Sequence, residues 1–562
     1  MKKLFLVISI LFFFCVGLAN ATTYYVRTDG NDSTCDGTQD EAAGDGTCAW
    51  LTIPYGQSQL SCGDTLIVGD GTYATYETFD SPYYIMVDLD DSQACTLGNE
   101  ITIKSQNKWG AILDGTAIGR EVAWGFRVTN GTKYINIEDF EIKNVSQGVR
   151  LSTTVEDGTN NITLYRLKIH DIDAFGILTG AYTELLTVDS CLIYNIYGEE
   201  TYIGVNDYHY WVHNHCMYLV GKDILIKNNI LYAPEGGMAL RLDGYSGDAP
   251  AVYSHLIVNN TLHWGWDSCI NPEGCPEAPY DVPQQRGLIN IYSDSARTYA
   301  TSDSPTSLCI IDNNILIDPP KDRAIQIGTY GSNDCEHGGG DAQYTYIRNN
   351  VTDVADMVYS GCTGEFGAYT NNSVNVNLYL TDIDTNDYYP TASSTDIIDK
   401  GLATNAPALD FNGTSRPIGG ADDIGAYERQ AGPIISLTSP IGLQACGYSG
   451  VITVESTLNS NCNYEDSATG SCSDDYTSLG VGGDPFTGGE AGTTHTVTVA
   501  NTCDTSTTYI VICEDSSTAE DSNCIEVNMN IAAETGSPQP TPVSIVGGGS
   551  AGIVGGGNVT MY

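Results

Sequence analysis

Ile226-Lys227-Asn228-Asn229-Ile230-Leu231 is one of seven segments of the same make in this chain. The others are Ile137-Glu138-Asp139-Phe140-Glu141-Ile142, Leu164-Tyr165-Arg166-Leu167-Lys168-Ile169, Val188-Asp189-Ser190-Cys191-Leu192-Ile193, Ile257-Val258-Asn259-Asn260-Thr261-Leu262, Ile311-Asp312-Asn313-Asn314-Ile315-Leu316 and Ile347-Arg348-Asn349-Asn350-Val351-Thr352. Each is two short β-rich runs about a polar pair. Their first residues lie 27, 24, 38, 31, 54 and 36 positions apart, and an interval of about 25 suits one turn of a stacked solenoid, the longer ones being turns that carry loops. Strands this short cannot bury their inward faces alone, so neighbouring turns must stack into one core. The expected fold is all-β, a solenoid whose loops carry function.

The polar pairs belong to the coil itself. Asn tolerates left-handed backbone angles, and its amide can bond to the same side chain one turn above and below. Asn228, Asn229, Asn259, Asn260, Asn313, Asn314, Asn349 and Asn350 are therefore expected to be structural, with sugar contact as the alternative. A second strand follows a small residue in Gly148-Val149-Arg150-Leu151, Gly176-Ile177-Leu178-Thr179, Gly237-Met238-Ala239-Leu240 and Ala324-Ile325-Gln326-Ile327.

These repeats, with His215-Cys216-Met217-Tyr218-Leu219 beside Asp223-Ile224-Leu225-Ile226, resemble the right-handed parallel β-helix superfamily that includes pectate-lyase-like proteins. Tyr24 to Asp32 and Gly63 to Tyr73 are similar to the opening that caps such solenoids. Asp396-Ile397-Ile398-Asp399-Lys400-Gly401, Asp410-Phe411-Asn412-Gly413, Arg416-Pro417 and Asp423-Ile424-Gly425-Ala426-Tyr427-Glu428 resemble the closing segment of the bacterial surface family called choice-of-anchor Q. The resemblance covers about Thr22 to Glu428 and implies a secreted or surface-displayed right-handed parallel β-helix. It does not by itself imply an activity.

The expected order is a signal peptide at 1–21, a cap and first turns at 22–100, and the β-helix with its closing segment at 101–430. A small β-sandwich at 433–532 and a Pro/Gly-rich tail at 533–562 follow. Met1-Lys2-Lys3, the apolar run Leu4 to Leu18 and Ala19-Asn20-Ala21 have the form of a cleavable secretory signal. Cys15 follows three phenylalanines rather than the small residues that precede a lipidated cysteine. Past Gln430, Val451-Ile452-Thr453-Val454, His495 to Val499 and Thr508 to Cys513 read as strands of a sandwich. This stretch resembles fibronectin type III or Ig-like modules, with Cys462 and Cys513 as the preferred inter-sheet disulfide. Gly536 to Pro542 reads as a linker.

Eighteen cysteines in an exported chain argue for disulfides. Cys35 with Cys48, Cys62 with Cys95, Cys269 with Cys275 and Cys335 with Cys362 are local candidates, while Cys191 and Cys309 fall on repeat strands. A formal net charge of -47 excludes general nucleic-acid binding. It also repels acidic polymers, so a pectin-like or alginate-like partner would need Ca²⁺ as a bridge. Asp88-Leu89-Asp90-Asp91 and Asp382 to Asp387 are candidate Ca²⁺ loops, a solvated acidic surface being the alternative.

The richest candidate site runs from Glu199 to His215. Glu199, Glu200, Asp207, His209, His213 and His215 supply acids and bases, and Tyr202, Tyr208, Tyr210 and Trp211 supply rings for sugar stacking. Arg241 and Asp243 should face the same groove from the next turn, and Trp264 and Trp266 should extend it. A transition-metal site at His209, His213 and His215 is a further alternative. The leading expectation is recognition of extracellular polysaccharide. Cleavage as lyase or glycoside hydrolase, or service as a non-catalytic stalk or adhesin, are the alternatives. No membrane span is expected, and the oligomeric state is open.

Overall fold

The computed structural model describes residues 21–44, 46–78, 82–90, 94–129, 131–152, 158–197, 214–234, 238–243, 254–264, 287–292, 308–319, 324–327, 345–358, 366–391, 393–418, 420–429, 435–439, 451–466, 492–498, 506–515 and 525–530. The chain divides into two compact units, Met1–Val376 and Asn377–Tyr562.

The first unit is a parallel β-helix. Three parallel sheets of eleven, nine and nine strands hold its described strands, apart from Glu77–Thr78, which joins the third sheet antiparallel. The chain passes from first to second to third sheet and back once per turn. Ile137, Leu164, Val188, Ile226, Ile257, Ile311 and Ile347, the first residues of the seven segments, are successive register partners. All seven are fully buried, and each side chain so buried contributes about 1.5–3 kcal/mol. The register continues upstream through Ile103 and Leu66 to Tyr24, and downstream to Tyr369.

The bend from first to second sheet takes two residues in every turn from Asp139-Phe140 to Asn349-Asn350. Its leading residue is left-handed at Asp139, Arg166, Ser190, Asn228, Asn259, Asn313 and Asn349, with φ between 52° and 67°. This conformation costs most residues about 1–2 kcal/mol and asparagine least. The second bend residue points into the coil. There it is Phe140, Leu167 and Cys191 in the early turns, then Asn229, Asn260, Asn314 and Asn350. Asn229 Nδ2 donates to Asn260 Oδ1 at 2.9 Å, Asn260 to Asn314 at 3.0 Å, Asn314 to Asn350 at 2.9 Å and Asn350 to Asn372 at 3.1 Å. Each Oδ1 also accepts the backbone N–H of the asparagine before it in the ladder, at 2.9–3.0 Å. The expectation of structural asparagines holds for this ladder, and Cys191 begins it by donating its N–H to Asn229 Oδ1 at 2.9 Å.

At the start of the coil, Thr52 caps the helix Ile53–Ser58, and its hydroxyl accepts the Tyr55 N–H. Disulfides Cys35–Cys48 and Cys62–Cys95 pin this region. Cys191 and Cys216 are buried free thiols and Cys309 is half-buried; the pairs Cys269/Cys275 and Cys335/Cys362 lie outside the described residues.

In the second unit the closing segment winds about Arg416, whose fully buried guanidinium lies 2.7 Å from Glu428 Oε2. Asp410 and Asp423 are buried beside it and accept backbone N–H groups from Asn412, Thr414, Glu428, Asp399 and Arg429. Burial pushes Asp423 up to about 6 and Glu428 up to about 7, against the pull of Arg416. Beyond it, the five described strands from Ile435 to Asn530 form one antiparallel sheet. Cys462 and Cys513 do form a disulfide. It is not an inter-sheet bond: the two are register partners on the adjacent strands Val451–Asp466 and Ser506–Asp515.

Replacing Asn260 with alanine removes a fully buried amide that donates to Ile226 O, Val258 O and Asn314 Oδ1. It also orphans the Asn229 N–H. We expect a loss of about 2–4 kcal/mol, read as a lower denaturation midpoint, and an unchanged midpoint would refute the ladder's role.

Candidate functional site

From Asp139-Phe140 onward the first-to-second bend keeps two residues, so the differences in connection length among those turns fall on the other two corners. Both border the third sheet. The long connections 197–214 and 264–288 enter it from the second sheet, and 244–253 and 293–307 leave it for the first. The outward face of the third sheet is therefore a floor between the variable loops, where function is expected.

Two rows of side chains run along that floor. Asp88, Arg127, Arg150, Leu178, Tyr218 and Arg241 are successive register partners. Trp124, Gln147, Phe175 and His215 form the neighbouring row. The spacing works because Gly125, Gly148 and Gly176 stack where a Cβ would strike the next turn's backbone. Their counterparts in later turns are Cys216 and Ala239, since Ile177, Met217 and Leu240 are in register. The sequence alignment through Gly237 is thus corrected by two residues.

At one end of the floor, Arg127 forms a two-pronged pair with Asp88, at 2.8 and 2.5 Å. That pair removes Asp88 from any Ca²⁺ loop. Arg150 lies over the Trp124 ring, 4.5 Å from its centre, and donates to Gln147 Oε1 at 3.1 Å. Tyr83, 40% exposed, stacks on Trp124. Burial, and then the neighbouring charge of Arg127, hold the Arg150 pKa below its ordinary value.

Towards the other end, the Arg241 guanidinium lies 4.5 Å from the centre of the Tyr218 ring. Phe175 and His215 are 5.8 and 5.6 Å from the same ring. His215 and Arg241 both contact the Tyr218 ring, and Val220 is the register partner of Asp243 one step along. His215 is fully buried and its Nδ1 accepts the Met238 N–H at 2.9 Å. Those contacts suit a tie between turns better than proton transfer. Trp264 is 7% exposed and belongs to the solenoid core, so it does not present a ring to a groove. Glu199, Glu200, Tyr202, Asp207, Tyr208, His209, Tyr210, Trp211, His213 and Trp266 lie outside the described residues.

A second cluster was missed in the sequence. On the outside of the second sheet, Glu141 contacts Lys168 at 3.0 Å and His170 Nε2 at 3.2 Å, while His170 Nδ1 lies 2.7 Å from Asp171. Burial opposes the charge of Glu141, but Lys168 and His170 outweigh it and hold the carboxyl below its usual range. His170, Tyr194 and Tyr232 stack at 4.8 Å intervals with planes within 7°. Tyr194 is pushed up to about 12 by burial and by Asp171 and Glu141. Rings stacked on one another show solvent their edges, and the charges are mutually paired, so this face suits stability rather than sugar binding. The signal was present: His170, Tyr194, Tyr232 and His263 each follow the left-handed bend residue by four positions.

No group of three or more His, Cys, Asp or Glu residues that could hold a metal occurs among the described residues. In the second candidate Ca²⁺ run, Asp382 accepts the Thr385 N–H and Asp387 the Tyr389 N–H. No described helix is long and apolar enough to cross a membrane.

Replacing His215 with alanine should cost about 2–4 kcal/mol, because it opens a buried cavity and leaves the Met238 N–H unpaired. Asparagine, whose side-chain carbonyl can accept that N–H, should recover part of the loss in the same denaturation assay. Equal stability of wild type and the alanine variant would contradict the reading of His215 as a tie.

No protein-family model and no curated protein matches this chain. Among solved structures it is similar to pectate lyase Pel9A, at 15% identity over 74% of this chain and 98% of that one, with a TM-score of 0.44. It is also similar to an alginate lyase from Paenibacillus sp. strain FPU-7, at 13% identity over 58% of this chain and 96% of that one, with a TM-score of 0.32. A rhamnogalacturonan lyase follows, at 11% identity over 59% of this chain and 87% of that one, with a TM-score of 0.28.

Proposed function

We propose that this protein is a secreted or cell-surface β-helix that recognises an extracellular polysaccharide along the outward face of its third sheet. The observation that carries the reading is the row holding Arg150, Tyr218 and Arg241, with Phe175 in the row beside it, on the floor between the length-variable connections. Aromatic faces take the apolar faces of sugar rings, and arginines donate to their hydroxyl and acidic groups. A long floor with repeated subsites fits a polymer better than a small molecule. Disulfides at Cys35–Cys48, Cys62–Cys95 and Cys462–Cys513 support an oxidising, extracellular setting.

Cleavage remains a second reading, because the acid- and histidine-rich stretch 199–213 belongs by sequence to the connection between Ile196 and His215. The closing segment's resemblance to a surface family is part of the same proposal and fits display on a cell.

Affinity electrophoresis of the full chain through gels holding neutral or acidic polysaccharides tests the reading, with reducing ends and unsaturated uronates followed in parallel. We expect retardation by at least one polymer, weakened about tenfold or more in Tyr218→Ala and Arg241→Ala and unchanged in Tyr194→Ala on the second sheet. No retardation, or equal loss in all three variants, would contradict it. Product formation would turn the binder into an enzyme.

A further inference from the structure

With 23 lysines and arginines among 70 aspartates and glutamates, any cation here has carboxylates within reach to compete for it. Most described arginines are so taken: Arg27 by Asp29 and Asp40, Arg120 by Asp173, Arg127 by Asp88, Arg166 by Asp139, Arg348 by Asp312 and Arg416 by Glu428. Arg150 is different. It is half-buried, its hydrogen-bond partner is the neutral amide of Gln147, and its guanidinium lies against the Trp124 ring. Among the described residues no carboxylate reaches it, and the charge that bears on it is the repelling Arg127.

A half-buried guanidinium without an anion is costly unless something completes it. We infer that Arg150, backed by Trp124 and flanked by Tyr83, seats the anionic group of an acidic sugar unit, a carboxylate or a sulfate ester. The inference rests on the polysaccharide reading and deepens it by naming the substrate class. Trp124 holds the guanidinium plane from behind, and Gln147 occupies one of its N–H groups. The remaining donors form the planar fork that matches carboxylate or sulfate oxygens. Tyr83, two-fifths exposed beside them, offers apolar ring surface to the sugar. Arg127 cannot do the same work, because Asp88 already fills its fork.

Direct seating also removes the need for a Ca²⁺ bridge between an acidic polymer and this acidic protein. Selectivity should then persist in a chelator, which separates this account from cation bridging.

The test is calorimetric titration of the full chain, in excess chelator, with four probes: oligogalacturonate, its fully methyl-esterified form, a sulfated oligogalactan and its unsulfated parent. The wild type should bind at least one anionic probe about tenfold tighter than its neutral counterpart, and the two pairs identify which anion is preferred. Arg150→Gln should erase that ratio, Arg150→Lys should restore only part of it, and Tyr194→Ala on the second sheet should leave the ratio unchanged. Tyr83→Ala should weaken charged and neutral probes alike. An anion preference that is absent in the wild type, or that survives in Arg150→Gln, would overturn the inference. Binding of neutral probes alone would sink only this inference, whereas binding of none would sink the polysaccharide reading with it.

Discussion

From Asp139 to Asn350 the solenoid depends on a bend made in two residues. In these turns the chain has room between the first and second sheets for one left-handed residue and one that points into the core. Asparagine meets both demands in the later turns: its backbone accepts φ near 55° at Asn228, Asn259, Asn313 and Asn349. In Asn229, Asn260, Asn314 and Asn350 its amide supplies donor and acceptor to the turns on either side. Buried polar groups are tolerable only when satisfied, and this ladder satisfies its members turn by turn. The earlier turns solve the same problem with Phe140, Leu167 and Cys191, which fill the corner with apolar volume instead.

A corner held at two residues through seven successive turns sends their insertions elsewhere. Both remaining corners flank the third sheet, which explains why a regular coil has intervals as unequal as 24 and 54 residues. The face between those corners, the third, is the one that carries arginines and half-buried aromatic rings. On the second sheet Glu141, Lys168, His170 and Asp171 neutralise one another, and the rings of His170, Tyr194 and Tyr232 cover one another. On the third sheet, no carboxylate among the described residues reaches the Arg150 guanidinium, in a chain where acids outnumber bases 70 to 23.

The coil was legible in the sequence because its determinants repeat. Ile137 through Ile347 were aligned by type alone and proved to be register partners, and Cys35–Cys48, Cys62–Cys95 and Cys462–Cys513 paired as their positions suggested. The outward residues were not legible in the same way. Asp88, Arg127, Arg150, Leu178, Tyr218 and Arg241 follow no repeated residue pattern, and insertions of different length separate them, so only strand register brings them together. Gly237 misled because a glycine can fall near a strand in sequence without holding the stacking position, which Ala239 occupies. The disulfide of the second unit was placed between sheets because the sequence marks which cysteines are near β-runs, not which strands are neighbours. Chemically dense stretches drew attention to 199–215, whereas the described part of the floor is assembled from single residues of many turns.

The central claim is that the third-sheet face is the polysaccharide surface. The most direct measurement is a crystal structure of the full chain with a bound acidic oligosaccharide. The account predicts sugar rings lying along the third sheet, with an anionic group at Arg150. A chain seated on the ring stack of the second sheet or on the antiparallel sheet of the second unit, with the third-sheet face bare, would contradict it.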